Sequence, residues 1–157
     1  MKSDCFRLAA SFAVLLMGAA VADAATTGAC SPTKTNYLAT DSPGAVGSTT
    51  VFSDIAEGTL TFTQGGTSRS CVIVQFFADT QVQNNTIYVR PLLDGNVGTP
   101  QEARYLSVLN FEGGARSMAF VYASVAPGKH TIRIQFRTDS TANNIAIYAH
   151  SILVLHR

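Results

Sequence analysis

After Gly47 the chain is a succession of short runs rich in Val, Ile, Thr, Phe and Tyr, cut at close intervals by turn dipeptides. The runs are Thr49–Ile55, Thr59–Thr63, Ser70–Ala78, Thr86–Leu93, Arg104–Phe111, Arg116–Val125, His130–Thr138 and Ile145–Leu155. β-Branched and aromatic residues of this kind favour strands. The punctuation is Glu57-Gly58, Gly65-Gly66, Asp94-Gly95, Gly113-Gly114, Pro127-Gly128 and Asn143-Asn144, all turn formers. No window carries a helical apolar stripe. About eight short strands at such spacing predict an all-β, antiparallel sandwich or barrel.

Alternation within the runs says which faces are buried. In His130–Thr138, residues His130, Ile132, Ile134 and Phe136 share one side, and Thr131, Arg133, Gln135 and Arg137 the other. That is a half-buried strand. In Thr86–Leu93, Ile87, Val89 and Pro91 alternate with Tyr88, Arg90 and Leu92. Pro91 cannot donate to a ladder, which predicts an edge or a bulge at that point. Pro127-Gly128 fits a type II turn. Such a turn splays a tight hairpin, so this link is expected to be a wider loop or a corner between sheets. The runs Cys71–Phe77 and Ile152–Leu155 are apolar on both parities, as in central strands covered on both faces. The last strand therefore needs a cover: another sheet, the N-terminal segment or a partner chain.

The N-terminus reads differently. Lys2 and Arg7 precede an apolar run from Leu8 to Ala22, and Ala22-Asp23-Ala24 is a small-x-small cleavage site. That layout predicts a secretory signal peptide over 1–24. The run is too short to span a bilayer, which takes about 20 residues. No membrane span is expected once it is removed. Residues 25–47, rich in Thr, Ser, Pro and Gly, are expected to be an extended N-terminal segment, with the β-sandwich domain over 48–157. Export leads to a secreted, periplasmic or cell-surface location. Cys5 would leave with the leader, so Cys30 and Cys71 are the remaining thiols and are expected to pair as a disulfide. The formal charge is +1, and the leader removes two charges of each sign. Nothing in that balance suggests a nucleic-acid partner.

One phrase resembles a known group. The pattern A-P-G-K-H-T-I-R-I-Q-F-R-T from Ala126, followed by a last hydrophobic strand ending in Ile152-Leu-Val-Leu155, is similar to the closing strands of exported bacterial and phage tail-fibre-like β-sandwich modules. Phe136 stands where those modules often have Trp. The segment Arg90-Pro-Leu-Leu-Asp-Gly95 resembles their mid-chain strand ending in Asp-Gly. The resemblance covers roughly Cys71 to Leu155 and implies a jelly-roll-like sandwich. It implies no catalytic residues.

A direct search for chemistry agrees. Gly66-Thr-Ser-Arg-Ser70 lacks the second glycine of a hydrolase elbow and any helix after it. His130, His150 and His156 form no metal-ligand spacing, so no metal or other cofactor is expected. Glu102 and Glu112 flank one candidate strand and are the pair of acids best placed for glycoside hydrolysis. Asp94-Gly-Asn96 reads as a tight turn before it reads as a calcium loop. Asn84-Asn-Thr86 fits a glycosylation sequon. Tyr88, Tyr105, Tyr122 and Tyr148 are the candidate sugar-stacking rings in a chain without Trp.

The expectation is an exported, non-catalytic interaction or structural module. Its candidate surface is Arg133, Gln135, Arg137, Tyr88 and Tyr122; its partners are a glycan or protein surface, with self-association through the apolar last strand. The alternative is an exported hydrolase acting on polysaccharide.

Overall fold

A computed structural model of the chain describes residues 29–107 and 112–157. The expected leader, 1–24, lies outside the described residues, as do the end of the candidate strand Arg104–Phe111 and the side chains of Tyr105 and Glu112. The strands among the described residues are β1 (Lys34–Thr40), β2 (Ala45–Val46), β3 (Ser53–Gln64), β4 (Ser70–Val82), β5 (Asn85–Leu93), β6 (Asn96–Val97), β7 (Ala103–Ser107), β8 (Glu112–Val125), β9 (Gly128–Thr138) and β10 (Ile145–His156).

Two of these, β2 and β6, are two residues long, and the other eight build the fold. One sheet runs β1-β10-β4-β8, with β2 also on β10. The other runs β3-β9-β5, with β6 and β7 sharing the far edge of β5. All pairings are antiparallel. Counted in chain order, the eight long strands read 1-8-3-6 in one sheet and 2-7-4-5 in the other. This is a jelly-roll sandwich, in which most connections cross between the sheets.

Period-2 alternation makes the core. Val72, Val74 and Phe76 of β4, with Phe120 of β8, face Ile87 and Val89 of β5 and Ile132 and Ile134 of β9. Burying one such side chain is worth about 1.5–3 kcal/mol. At the end of the sandwich where β1 begins, Cys30 and Cys71 form a disulfide with Cα atoms 5.6 Å apart and 41 residues between them in sequence. It ties the segment before β1 to β4, across the end of the intervening β10.

Two details depart from the pattern reading. Thr49–Ile55 and Thr59–Thr63 are not two strands. They belong largely to the single β3, whose register with β9 slips between Asp54 and Thr59. Glu57, at φ 53°, is the outlier of that bulge, and a Cβ on Gly58 would come within 2.9 Å of the Ile55 carbonyl oxygen. Glu57-Gly58 is thus a bulge within a strand, where the dipeptide pattern suggested a turn.

Pro91 lies in a strand with neighbours on both sides, neither an edge nor a bulge. Along the far side of β5, β7 pairs with Asn85–Val89 and β6 with Leu92–Leu93, which leaves a gap at Arg90 and Pro91. The Pro91 carbonyl accepts a hydrogen bond from the Tyr122 hydroxyl at 2.9 Å, reaching over from the other sheet. A residue's N–H and C=O point to the same side of an antiparallel strand. The missing N–H of Pro91 therefore faces a place where no ladder partner exists. Pro127-Gly128 joins β8 of one sheet to β9 of the other, so of the two links expected from the sequence it is the corner between sheets.

Replacing Cys30 and Cys71 by Ala releases a loop whose closure is worth about 4 kcal/mol on the chain-entropy model. The double variant is expected to unfold at markedly lower urea concentration than the parent. Reductant should lower the parent's midpoint to match; a parent midpoint indifferent to reductant argues against the bond.

Candidate functional site

The outer face of the β3-β9-β5 sheet gathers the polar parity of β9 beside that of β5. Tyr88 pairs across the ladder with Arg137, and Arg90 with Gln135. These register partners interlock. Both Nε and Nη2 of Arg90 donate to Gln135 Oε1, at 3.0 and 2.9 Å. Gln135 Nε2 donates in turn to Asp54 Oδ1 at 2.8 Å, and Arg133 reaches Asp54 Oδ2 at 3.3 Å. The Arg90 guanidinium lies 3.7 Å over the Phe52 ring, and that of Arg137 lies 3.7 Å over Tyr88 and 5.2 Å from Phe52. Each close stack of this type is worth about 0.5–1 kcal/mol at a surface. Glu102 accepts from Arg137 at 3.2 Å, and Asp139 stands 3.8 Å from it. Planar guanidinium and amide groups thus alternate with two rings across an open sheet. Beside them Tyr88, Glu102 and Arg104 line a small cavity of about 310 Å³.

Four of the five surface residues named from sequence meet here: Tyr88, Arg133, Gln135 and Arg137. Tyr122 does not. It is 7% exposed, on the inner parity of β8, with its hydroxyl spent on Pro91. Burial pushes its phenol above the ordinary range, although a backbone contact with Leu93 works the other way. Alternation in β8 could have placed it inside, since Met118, Phe120 and Tyr122 share parity. Sequence reading missed Phe52, Asp54 and Arg90 as members. Arg90 was visible as the neighbour of Tyr88 on the polar side; Phe52 lies before β3 and carried no signal.

The histidines serve the fold. His130 Nδ1 sits 2.6 Å from Asp94 Oδ2 and its Nε2 2.8 Å from the Ala126 carbonyl oxygen. Both ring nitrogens face protein oxygens, so neither is presented to a substrate. His156 is buried, with Nε2 2.7 Å from Asn36 Oδ1, and its ring lies 4.9 Å from Phe62. Phe62 also touches His130, at 5.6 Å, so two of the three histidines meet around one ring. His150 pairs across β10 with Thr40 of β1, at the other end of the sheet, buried beside Phe76, and its Nε2 has no hydrogen-bond partner among the described residues. No cluster of three metal-ligating side chains occurs among the described residues.

Glu102 and Glu112 are carried on opposite sheets. Glu102 precedes β7 and is held by Arg137, whereas Glu112 opens β8, opposite Val82 of β4. Asp94 and Gly95, at φ 49° and 87°, are the central residues of a type I′ hairpin turn between β5 and β6. Asn84 of the sequon is exposed in the β4–β5 turn.

No protein-family model matches the chain, and no curated protein matches it by sequence. Among solved structures, 85% of the chain superposes on dimeric latent PorU from Porphyromonas gingivalis, with TM-score 0.51 and 9% identity. The match spans 14% of that much longer chain. The CBM36-1 domain of a multidomain xylanase from the hindgut metagenome of Trinervitermes trinervoides is matched over 76% of this chain and 96% of its own, with TM-score 0.36 and 12% identity. A family two carbohydrate esterase from Cellvibrio japonicus is matched over 78% of this chain and 33% of its own, with TM-score 0.30 and 18% identity. At 9% identity the likeness to PorU is one of fold alone, and the latter two, with TM-scores below 0.5, carry no argument.

The Asp94–His130 pair has a pH signature. Partial burial pushes the Asp94 carboxyl up, but hydrogen bonds from His130 and the Thr131 N–H, with the His130 charge, outweigh it and leave it below the ordinary 3.8. A depressed carboxyl stabilises fully above its unfolded value, and the gain is lost as pH falls through the folded value. Asp94 is 46% exposed, so screening holds the pair below about 1 kcal/mol. Asp94→Asn is expected to lower the neutral-pH urea midpoint slightly and to flatten its fall between about pH 5 and pH 2. An unaltered acid limb would take Asp94 out of this account.

Proposed function

We propose that the chain is an exported, non-catalytic β-sandwich binding module, and that the outer face of the β3-β9-β5 sheet takes a glycan chain. The observation that carries this reading is the prior ordering of Arg90, Arg133, Gln135 and Arg137 by one another and by the Phe52 and Tyr88 rings. A free Arg or Gln gives up about 1.5–2 kcal/mol of rotamer entropy when a ligand fixes it. Here that cost is largely met before binding, which is what preorganisation contributes to affinity. Planar forked donors suit the paired hydroxyls of a sugar. The face is open, as an extended polymer requires. Export rests on the layout of residues 1–24 and is in keeping with the Cys30–Cys71 bond, since disulfides persist in oxidising compartments. The likeness of the closing strands to exported and virion-associated modules belongs to the same reading.

A glycan array probed with the purified chain, followed by calorimetry on the best ligand, tests it. Tyr88→Ala and Arg137→Ala are each expected to weaken binding by about tenfold, the scale of one stacked or forked contact. Turnover of the bound polysaccharide would favour the hydrolase instead. Binding that both substitutions leave intact would place the ligand elsewhere.

A further inference from the structure

The two outer faces of the sandwich differ in kind. On the β1-β10-β4-β8 sheet the outward parity of β4 is Ile73, Gln75 and Phe77, and that of β10 is Ser151, Leu153 and Leu155. Their neighbours are Thr35, Tyr37 and Ala39 of β1 and Ser117, Ala119 and Val121 of β8. None of these twelve positions is charged. Tyr37 is 74% exposed, and Phe77 and Val121 are each 38% exposed. Monomeric proteins rarely leave a contiguous apolar face of this extent to water. This is also the face that the apolar last strand demanded a cover for, and no other described element lies over it.

The pattern along the strands is graded. Toward the disulfide end, Leu155, Ile73 and Val121 stand side by side as a ridge across three strands. Four residues on, Ala39, Ser151 and Ser117 are small and line a transverse groove of about 520 Å³ together with Phe77. Asp41 and Asp79, both exposed, line the far side of the groove; beyond the ridge lies Arg69, exposed, with Nη1 donating to the Ser124 carbonyl at 3.0 Å. Arg116, also at the groove end, has an interaction of its own.

We propose that this face is covered by a second copy of the chain, packed face to face about a two-fold axis that lies in the sheet plane and runs across the strands. Such an axis keeps each strand over its own counterpart and reverses position along it. Leu155 then stands over Ser151 of the other copy, Val121 over Ser117, and Ile73 over Phe77. On β10 and β8 each ridge residue thus meets a small residue of the opposite copy, and Ile73 packs on the Phe77 ring between them, the self-complementarity an isologous interface requires. The same reversal brings Asp79 of each copy toward the Arg69 end of the other. Opposite charges thus flank the apolar patch at both ends. Sheets packed in this manner lie about 10 Å apart with strands within about 30°.

The extent sets the strength. Four strands about 4.8 Å apart and seven residues at about 3.3 Å, the length of β1, cover roughly 450 Å² of sheet per copy. The pair together approaches the roughly 1,000 Å² at which specific association begins. The dimer is therefore expected to be reversible, with Kd on the order of 10 μM.

Sedimentation of the purified chain, disulfide intact, from about 1 to 300 μM reads this directly. The expected result is a monomer–dimer equilibrium that Ile73→Lys and Val121→Glu each weaken at least tenfold, with the circular dichroism of the parent retained. The register has its own test. Asp79→Arg and Arg69→Asp should each weaken the dimer, and the two together should restore it. A monomer across the whole range overturns the proposal, as does a dimer that survives Ile73→Lys. Chain that stays monomeric but binds lipid vesicles or a different protein through this face overturns it too. The glycan reading stands or falls separately, since a monomer can still bind through the opposite sheet.

Discussion

Everything in this structure depends on one dry layer between two sheets. Phe76, Phe120, Ile87, Ile132, Ile134 and Ile152 are among the largest fully buried side chains, and they come from five strands of both sheets. A layer of that kind admits only one parity from each strand, because shifting the register by one residue would turn the whole apolar set to solvent. The parity that remains is what the protein can use. Every surface property discussed above is the residue of that choice: a guanidinium–ring array on one side, an apolar ridge and groove on the other.

The layer was legible, and the sites on its margins less so. Alternation in His130–Thr138 correctly separated Ile132, Ile134 and Phe136 from Arg133, Gln135 and Arg137, because a half-buried strand writes its two environments directly into its sequence. The jelly-roll order came from the resemblance of the closing strands, since strand periodicity does not encode which sheet a strand joins. Glu57-Gly58 misled because the same dipeptide serves a turn or a bulge, and only the partner strand β9 distinguishes them. Pro91 misled for a related reason. Its missing donor needed a place without a ladder partner, and a gap between two short strands supplies one as well as an edge does. Tyr122 was placed on the surface from its chemistry; its parity, shared with Met118 and Phe120, was the better guide. Phe52 lies outside any strand, and the contacts that bring it under Arg90 arise from the chain's path alone.

The contrast between the outer faces is the most informative long-range feature. In the β3-β9-β5 sheet the outward side chains satisfy one another, so exposure to water costs little. In the β1-β10-β4-β8 sheet the outward side chains are uncharged and mostly apolar or small, so covering them would be favourable. A lone domain with two self-satisfied faces would be a plain soluble sandwich. One with a single unsatisfied face has a direction built into it, which is the basis of the proposed assembly side and ligand side.

That direction bears on how weak contacts become useful. In a pair joined back to back through the apolar faces, the two arginine-rich faces look outward, on opposite sides of a stack about four sheets thick, or about 30 Å between the outermost sheets. A single rigid polymer chain cannot reach both, so the pair does not gain the intramolecular advantage of two sites on one ligand. It gains it when two polymer strands, or one strand and its neighbour in a mesh, already lie side by side. If both proposals hold, the arrangement would favour dense, layered material over isolated chains, even where each site meets the same sugars. Selectivity would come from the spacing of the ligand, set by the thickness of the dimer, in addition to the chemistry of Arg90, Gln135, Arg137 and Tyr88.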